Sequence, residues 1–312
     1  MAPARKDRWG VLVWNMALMT PGRQPRRNMA YLAELMGEHE IHIALLNEAS
    51  VAHMKAANRE ADERRSPRPF AFSEIGTKGR DFWTDEKGIR KPYARAKWSA
   101  TVMSPDGPAI LGEDDVRGRR SAPGSRVIDV PFVNSRPGTW IAATVELGDR
   151  KITCVSLYGL IEELTDASVH RSLSDISPIF TDPDHKDLVL LGGDFNLGTG
   201  LADPSVRKRS KIVLDRIKAY GLVDCLASWR EQQDLPGIPG CSCGDEPCRH
   251  TMTRVTPSGE PAVPWEKRNP VQVDYLFATD TLAKRLDDVV ELPPEEWEPY
   301  SDHRPIIVKF KG

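Results

Sequence analysis

Short, nearly unbroken apolar runs recur along the whole of this chain, at residues 10–14, 41–46, 98–103, 127–132, 140–146, 151–157, 188–191, 272–278 and 305–310. Runs of that length read as β-strands, and those without alternating polar residues read as strands covered on both faces. Helical patterns fall between them. Across 28–38, Met29, Leu32, Leu35 and Met36 share one face, and across 207–220 so do Ile212, Val213, Ile217 and Tyr220. Strands interleaved with helices predict an α/β architecture. No Pro/Ser linker or shift of composition divides the chain, so one domain over residues 1–312 is expected. At 312 residues, 40% hydrophobic and 28% charged, it has the make-up of a soluble protein with a substantial core.

Two stretches depart from the pattern. Residues 58–91 are polar and charged, with aromatic islands at Phe70, Phe72, Phe82 and Trp83, and residues 232–270 are rich in Gly, Pro and Cys. Both read as excursions from the core, which either carry binding functions or lie idle on the surface.

A net charge of −2 excludes a global basic field, so any contact with nucleic acid must come from local patches. Basic residues gather at Arg117, Arg119, Arg120 and Arg126, and again at Arg207, Lys208, Arg209 and Lys211. The second group reads either as a phosphate-backbone contact or as a solvated helix face. The basic start at 5–8 and the apolar residues after it resemble a signal peptide only superficially, because Asn15 breaks the run; a first β-strand is expected. No apolar run is long enough to span a bilayer, and a cytoplasmic protein without membrane contact or an obligate protein partner is expected.

Five cysteines do not suggest a secreted disulfide framework. Cys154 and Cys225 lie among apolar residues and read as buried thiols. Cys241, Cys243, Cys248 and His250 form a C-x-C-x4-C-x-H pattern. Three thiolates and an imidazole can close a tetrahedral structural Zn²⁺ site. The alternative is a set of reduced surface cysteines, since C-x-C is tighter than the usual C-x2-C.

The residues that carry chemistry sit at strand ends. Asn15 follows Val13-Trp14, Asn47-Glu48 follow Leu45-Leu46, and Asp194 and Asn196 follow Gly192-Gly193. Asp274 lies within an apolar run, and Asp302-His303 sit side by side just before another. Each alone reads equally well as a strand terminus or turn. A carboxylate inside such a strand is costly unless it is paired or functional. Ligands of α/β sheets gather where strand ends meet loops. Acids and amides at several such ends suit one hard, oxygen-loving cation such as Mg²⁺.

With Trp14-Asn15, Asn47-Glu48, Ser156-Leu157-Tyr158, Gly193-Asp194-Phe195-Asn196, Val273-Asp274-Tyr275 and Ser301-Asp302-His303 in this order, the chain resembles the endonuclease/exonuclease/phosphatase superfamily over nearly its whole length. That resemblance implies a DNase I-like fold: a four-layer α/β sandwich of two packed mixed β-sheets flanked by helices. It also implies a Mg²⁺ (or Mn²⁺) site held by Glu48 with Asn15 beside it and Asp302 in support. Asp194 would orient or deprotonate the attacking water, and Asn196 would hold that water or the phosphate. His303, paired with Asp274, would donate to the phosphoryl oxygen, and Tyr158 would hydrogen-bond the phosphate. Two departures matter. Asn47 stands where the family usually has Gln. Tyr158-Gly159 stands where some branches use histidine, which leans toward the apurinic/apyrimidinic endonuclease type.

The function these implications favour is a metal-dependent phosphodiesterase acting on nucleic acid, DNA before RNA, as endo- or exonuclease. One alternative keeps the chemistry for inositol phosphates, phospholipid head groups or small phosphoesters. Another is a non-catalytic binding module on the same fold.

Overall fold

The computed structural model describes residues 8–17, 25–73, 82–84, 90–92, 100–112, 115–116, 118–120, 128–130, 132–161, 165–255 and 270–312. At 82–84, 90–92, 118–120 and 128–130 only the backbone is described, so Phe82, Trp83, Arg119 and Arg120 are placed without side chains. Arg117 and Arg126 lie outside the described residues.

Alternation of side chains along the central strands decides the layering. In the strand Arg8–Asn15, Val11 and Val13 point to one core while Leu12 and Trp14 point to another. Such a strand must be covered on both faces, and two sheets supply one of the covers. The first runs Leu286–Glu291, Ile306–Lys311, Arg8–Asn15, Ile41–Asn47, Thr101–Met103, Phe70–Phe72 from edge to edge. The second runs Leu222–Asp224, Asp274–Thr279, Val189–Asp194, Arg150–Leu157, Trp140–Leu147, Ala109–Ile110. Both are mixed. Arg8–Asn15 is parallel to Ile41–Asn47 but antiparallel to Ile306–Lys311. Arg150–Leu157 is parallel to Val189–Asp194, which is antiparallel to Asp274–Thr279.

Between the sheets, Val11, Val13, Ile43 and Leu45 meet Ala143, Val145, Cys154, Leu190, Leu276 and Ala278. Outside the first sheet, Leu12, Trp14, Leu46 and Ile307 are covered by Tyr31, Leu32 and Leu35 of the helix Pro25–Glu38, with Met54 of the helix Val51–Arg64. Outside the second, Leu157, Leu191 and Phe277 are covered by Val169 and Leu173 of the helix Thr165–Ile176 and by Val213 and Ile217 of the helix Pro204–Ala219. The result is helix, sheet, sheet, helix: the four-layer sandwich that the resemblance implied. Each fully buried Val, Leu or Ile favours the fold by about 1.5–3 kcal/mol.

Two expectations need correcting. Ile212 is 53% exposed, and the buried stripe of its helix is Ser210, Val213, Leu214 and Ile217. Ile212 lies about 100° round the helix from Val213, too far to reach the sheet. The stretch from residue 58 is not wholly an excursion. It begins inside the helix Val51–Arg64 and supplies the edge strand Phe70–Phe72. That helix buries only Met54 and Ala61, so it has no apolar periodicity to read. Cys154 and Cys225 are buried thiols, as expected. Among the described residues no helix is long and apolar enough to cross a membrane.

Candidate active site

Strand direction brings the polar residues to one end of the sandwich. Arg8–Asn15, Ile41–Asn47, Arg150–Leu157 and Val189–Asp194 finish there. The antiparallel strands Asp274–Thr279 and Ile306–Lys311 begin there, with Asp194 opposite Asp274 and Val13 opposite Ile306 in register. Glu48 and Asn196 turn the chain away from their strands in left-handed backbone conformations, at φ 51° and 50°. Non-glycine residues adopt that conformation rarely and at some cost.

Asn15 is the hinge of the arrangement. Its amide nitrogen donates to Glu48 Oε1 at 3.2 Å and to Asp194 Oδ2 at 2.8 Å, while its oxygen accepts from the Ala17 N–H at 2.9 Å. Two buried carboxylates, from different sheets, therefore share one donor. Tyr158 also donates to Glu48 Oε1, at 3.0 Å. Its hydroxyl thus braces Glu48 in this structure, where the resemblance had it on phosphate. Asn47 accepts from the Asp194 N–H at 2.7 Å, so it too ties the first sheet to the second. Asn196 donates its N–H to Asp194 Oδ1 at 2.9 Å and its side-chain amide to Gly159 O at 2.8 Å.

His303 sits on the other side of Asp194. Its Nδ1 is 2.8 Å from Asp274 Oδ2, and its Nε2 is 3.9 Å from Asp194 Oδ2, beyond a direct hydrogen bond. The three residues are almost fully buried, at 3% exposure for His303 and 1% for each acid. Burial alone would push the imidazole's pKa down, but the Asp274 and Asp194 carboxylates outweigh it and hold His303 up at about 9. Burial, joined by the charge of Asp274 and opposed by His303, pushes Asp194 up to about 7. Asp274 Oδ1 is buried without a hydrogen-bond partner among the described residues.

These groups fit a divalent cation. Glu48 is 6% exposed and Asp194 1%, and two such carboxylates converging on one amide concentrate negative charge that a cation would offset. Carboxylate and amide oxygens are the ligands that hard cations take. The ligand atoms of Asp194, Asp274 and His303 also lie within 4.8 Å of one another. Asp302 is turned toward a different partner, with Oδ2 3.3 Å from Arg254 Nε.

Several contributors were not among the residues expected to form the site. Thr253 Oγ1 accepts from the N–H groups of Val273 and Asp274, at 3.0 and 3.1 Å, and so sets the position of Asp274. Ser301 donates to Asn15 O at 2.7 Å and accepts from the His303 N–H at 3.0 Å. Arg254 adds a cation whose charge is favoured, against burial, by Asp302, Asp194 and Asp274.

The basic group on the helix Pro204–Ala219 is largely engaged with its own surroundings. Arg207 donates to Leu201 O and Ala202 O, Arg209 pairs with Asp166 at 3.0 Å, and Lys211 pairs with Asp215 at 2.9 Å. Lys208 is exposed. In the cysteine cluster, the ligand atoms of Cys241, Cys243, Cys248 and His250 lie within 4.8 Å of one another.

Neither a protein-family model nor a curated protein matches the chain by sequence. Solved structures match over nearly all of it. An AP endonuclease from Leishmania major has a TM-score of 0.58 at 12% identity, covering 98% of this chain and 88% of that one. An endonuclease/exonuclease/phosphatase from Beutenbergia cavernae has a TM-score of 0.55 at 16% identity, covering 98% and 72%. A 3′ phosphatase from Neisseria, bound to a product DNA hairpin, has a TM-score of 0.54 at 15% identity, covering 96% and 98%. The chain has the DNase I-like fold of these phosphoester-cleaving enzymes.

Proposed function

We propose that this protein is a metal-dependent phosphodiesterase that hydrolyses nucleic acid, DNA before RNA. The observation that carries the reading is a buried imidazole, braced by Asp274, facing a second carboxylate at the strand ends where Glu48 and Asn15 converge.

Each group has a task that its surroundings support. Asp194, oriented by Asn15 and by the Asn196 N–H, takes a proton from the water that attacks phosphorus. His303, kept charged by Asp274, donates from Nε2 to a non-bridging phosphoryl oxygen as negative charge builds there. The bond to the leaving oxygen breaks, and that oxygen takes its proton from solvent. Glu48, with Asn15 beside it, would hold Mg²⁺ or Mn²⁺, which would supply positive charge against the negative charge that builds on the phosphate, while Asp302 is engaged by Arg254. Tyr158 and Asn15 fix the Glu48 carboxylate. Asn196 shapes the loop that presents Asp194.

DNA is favoured because structures of this fold include an AP endonuclease and a phosphatase bound to a DNA hairpin. A second reading, hydrolysis of inositol phosphates or other small phosphoesters, draws support from the self-engaged cations of the helix Pro204–Ala219.

The test is hydrolysis with Mg²⁺ or Mn²⁺ of plasmid, abasic and 3′-phosphate oligonucleotides, RNA, inositol phosphates and a generic phosphodiester. Glu48→Ala and His303→Ala serve as controls. Cleavage of a DNA substrate that both controls lose is expected. Equal activity in the controls overturns the site, and activity confined to small phosphoesters overturns the substrate.

A further inference from the structure

The cysteine cluster takes no part in the chemistry above, yet its geometry is that of a built metal site. The helix Cys225–Gln232 is followed, through residue 253, by chain with no helix or strand of its own. Segments longer than about 12–15 residues are uncommon inside compact folds unless something pins them. In the middle of this one, Cys241 Sγ lies 3.3 Å and Cys248 Sγ 3.5 Å from His250 Nδ1, and Cys243 completes a set of four ligand atoms within 4.8 Å. A tetrahedral ion with Zn–S of about 2.3 Å and Zn–N of about 2.0 Å demands S···N edges of about 3.5 Å and S···S edges of about 3.8 Å.

Two further observations point the same way. His250 Nε2 is 2.7 Å from Thr199 Oγ1, a contact that orients the ring with Nδ1 toward the sulfurs, and the hydroxyl can accept a proton on Nε2 when Nδ1 binds a metal. The cluster is also seated on glycines. A Cβ on Gly200 would meet Cys241 Sγ at 2.9 Å, and one on Gly237 would meet Cys248 Sγ and O at 2.6 Å. All five cysteines are free thiols, so no disulfide accounts for the approach.

We propose that Cys241, Cys243, Cys248 and His250 bind one Zn²⁺ in a closed tetrahedral site. Thiolates with one imidazole select zinc over hard cations, and four protein ligands leave no position for water or substrate. The three thiol protons pass to solvent on binding. The site joins two loops that reach the phosphoester site. Thr199 follows Asn196 closely, while the Thr251 N–H bonds Gln272 Oε1 at 2.8 Å and Thr253 holds Asp274. The zinc is therefore a staple behind the active site.

The full chain, purified without chelator from zinc-supplemented cells, is expected to carry one zinc per chain by elemental analysis. That zinc should be released stoichiometrically by a mercurial, with the three thiols shielded from iodoacetamide beforehand. Co²⁺ in its place should give the visible absorption of a tetrahedral thiolate site. Cys243→Ser and His250→Ala should each lose the metal. Because either variant can fail to fold, the chelated wild type is also titrated with Zn²⁺, and a rise in melting temperature saturating at one equivalent is expected. The proposal is overturned if the wild type holds no more zinc than the triple cysteine-to-serine variant, with its thiols freely alkylated or joined in a disulfide and no thermal shift. None of these readouts depends on hydrolysis, so they stand or fall apart from the proposed activity.

Discussion

The His303 imidazole owes its charge to neighbours, against the burial that opposes it. In the metal-free protein it should titrate near pH 9, followed by its ring-proton NMR signals, and Asp274→Asn should move that midpoint down. The sign for stability follows from linkage. A proton held more tightly in the folded chain stabilises the fold fully below the ordinary value of 6.5, and that contribution is lost as pH rises through about 9. Urea midpoints of metal-free wild type should therefore drop across this window more than those of Asp274→Asn. For catalysis, His303→Ala should lower kcat by about 10²–10⁴-fold, the range usual for a positioned proton donor, and it should lower the melting temperature as well, because it leaves the buried Asp274 carboxylate without its partner. An unchanged kcat would remove His303 from the reaction.

At the level of elements, glycines at the strand ends decide how closely the loops approach the site. Gly193 has φ +140°, and a Cβ there would lie 2.0 Å from Leu157 O; at Gly159 it would lie 2.0 Å from Phe195 O. Both obstacles are backbone atoms that cannot swing aside. Gly193→Ala should cost about 2–4 kcal/mol, combining overpacking with the unfavourable φ. Gly37, inside the helix Pro25–Glu38 with nothing near its missing Cβ, should respond oppositely. Gly37→Ala should stabilise by about 0.5–1 kcal/mol. Denaturant unfolding of the two variants checks both signs. Elements were legible where burial leaves a pattern, as in the continuous apolar run of Arg8–Asn15 or the one-sided stripe of Pro25–Glu38. The helix Val51–Arg64 was not, because its exposed surface carries no period. Within the site, Asp194, Glu48 and His303 stand in short motifs, whereas Thr253 acts through hydrogen bonds to a distant segment and leaves no local trace.

Across the whole molecule, the site is assembled from both sheets, so its geometry depends on their packing. Asn15 and Asn47 from one sheet hold Asp194 of the other, and just beneath them Leu45 Cδ1 lies 2.9 Å from where a Cβ of Gly192 would stand. Leu45→Ala should cost about 2–5 kcal/mol and lower kcat as well, because the cavity opens under Asp194. Leu32→Ala, in the core beneath the helix Pro25–Glu38, should cost a similar amount and spare kcat. Thermal melts paired with initial rates separate the two. The same construction has a consequence for the protein's synthesis. The Trp14 indole donates to His303 O across 289 residues of sequence, and Ile306–Lys311 must pair with Arg8–Asn15 for that contact to form. A chain still emerging from the ribosome has made Asn15, Glu48 and Asp194 but not yet His303. Until Ile306–Lys311 closes the first sheet, the proposed site lacks its imidazole.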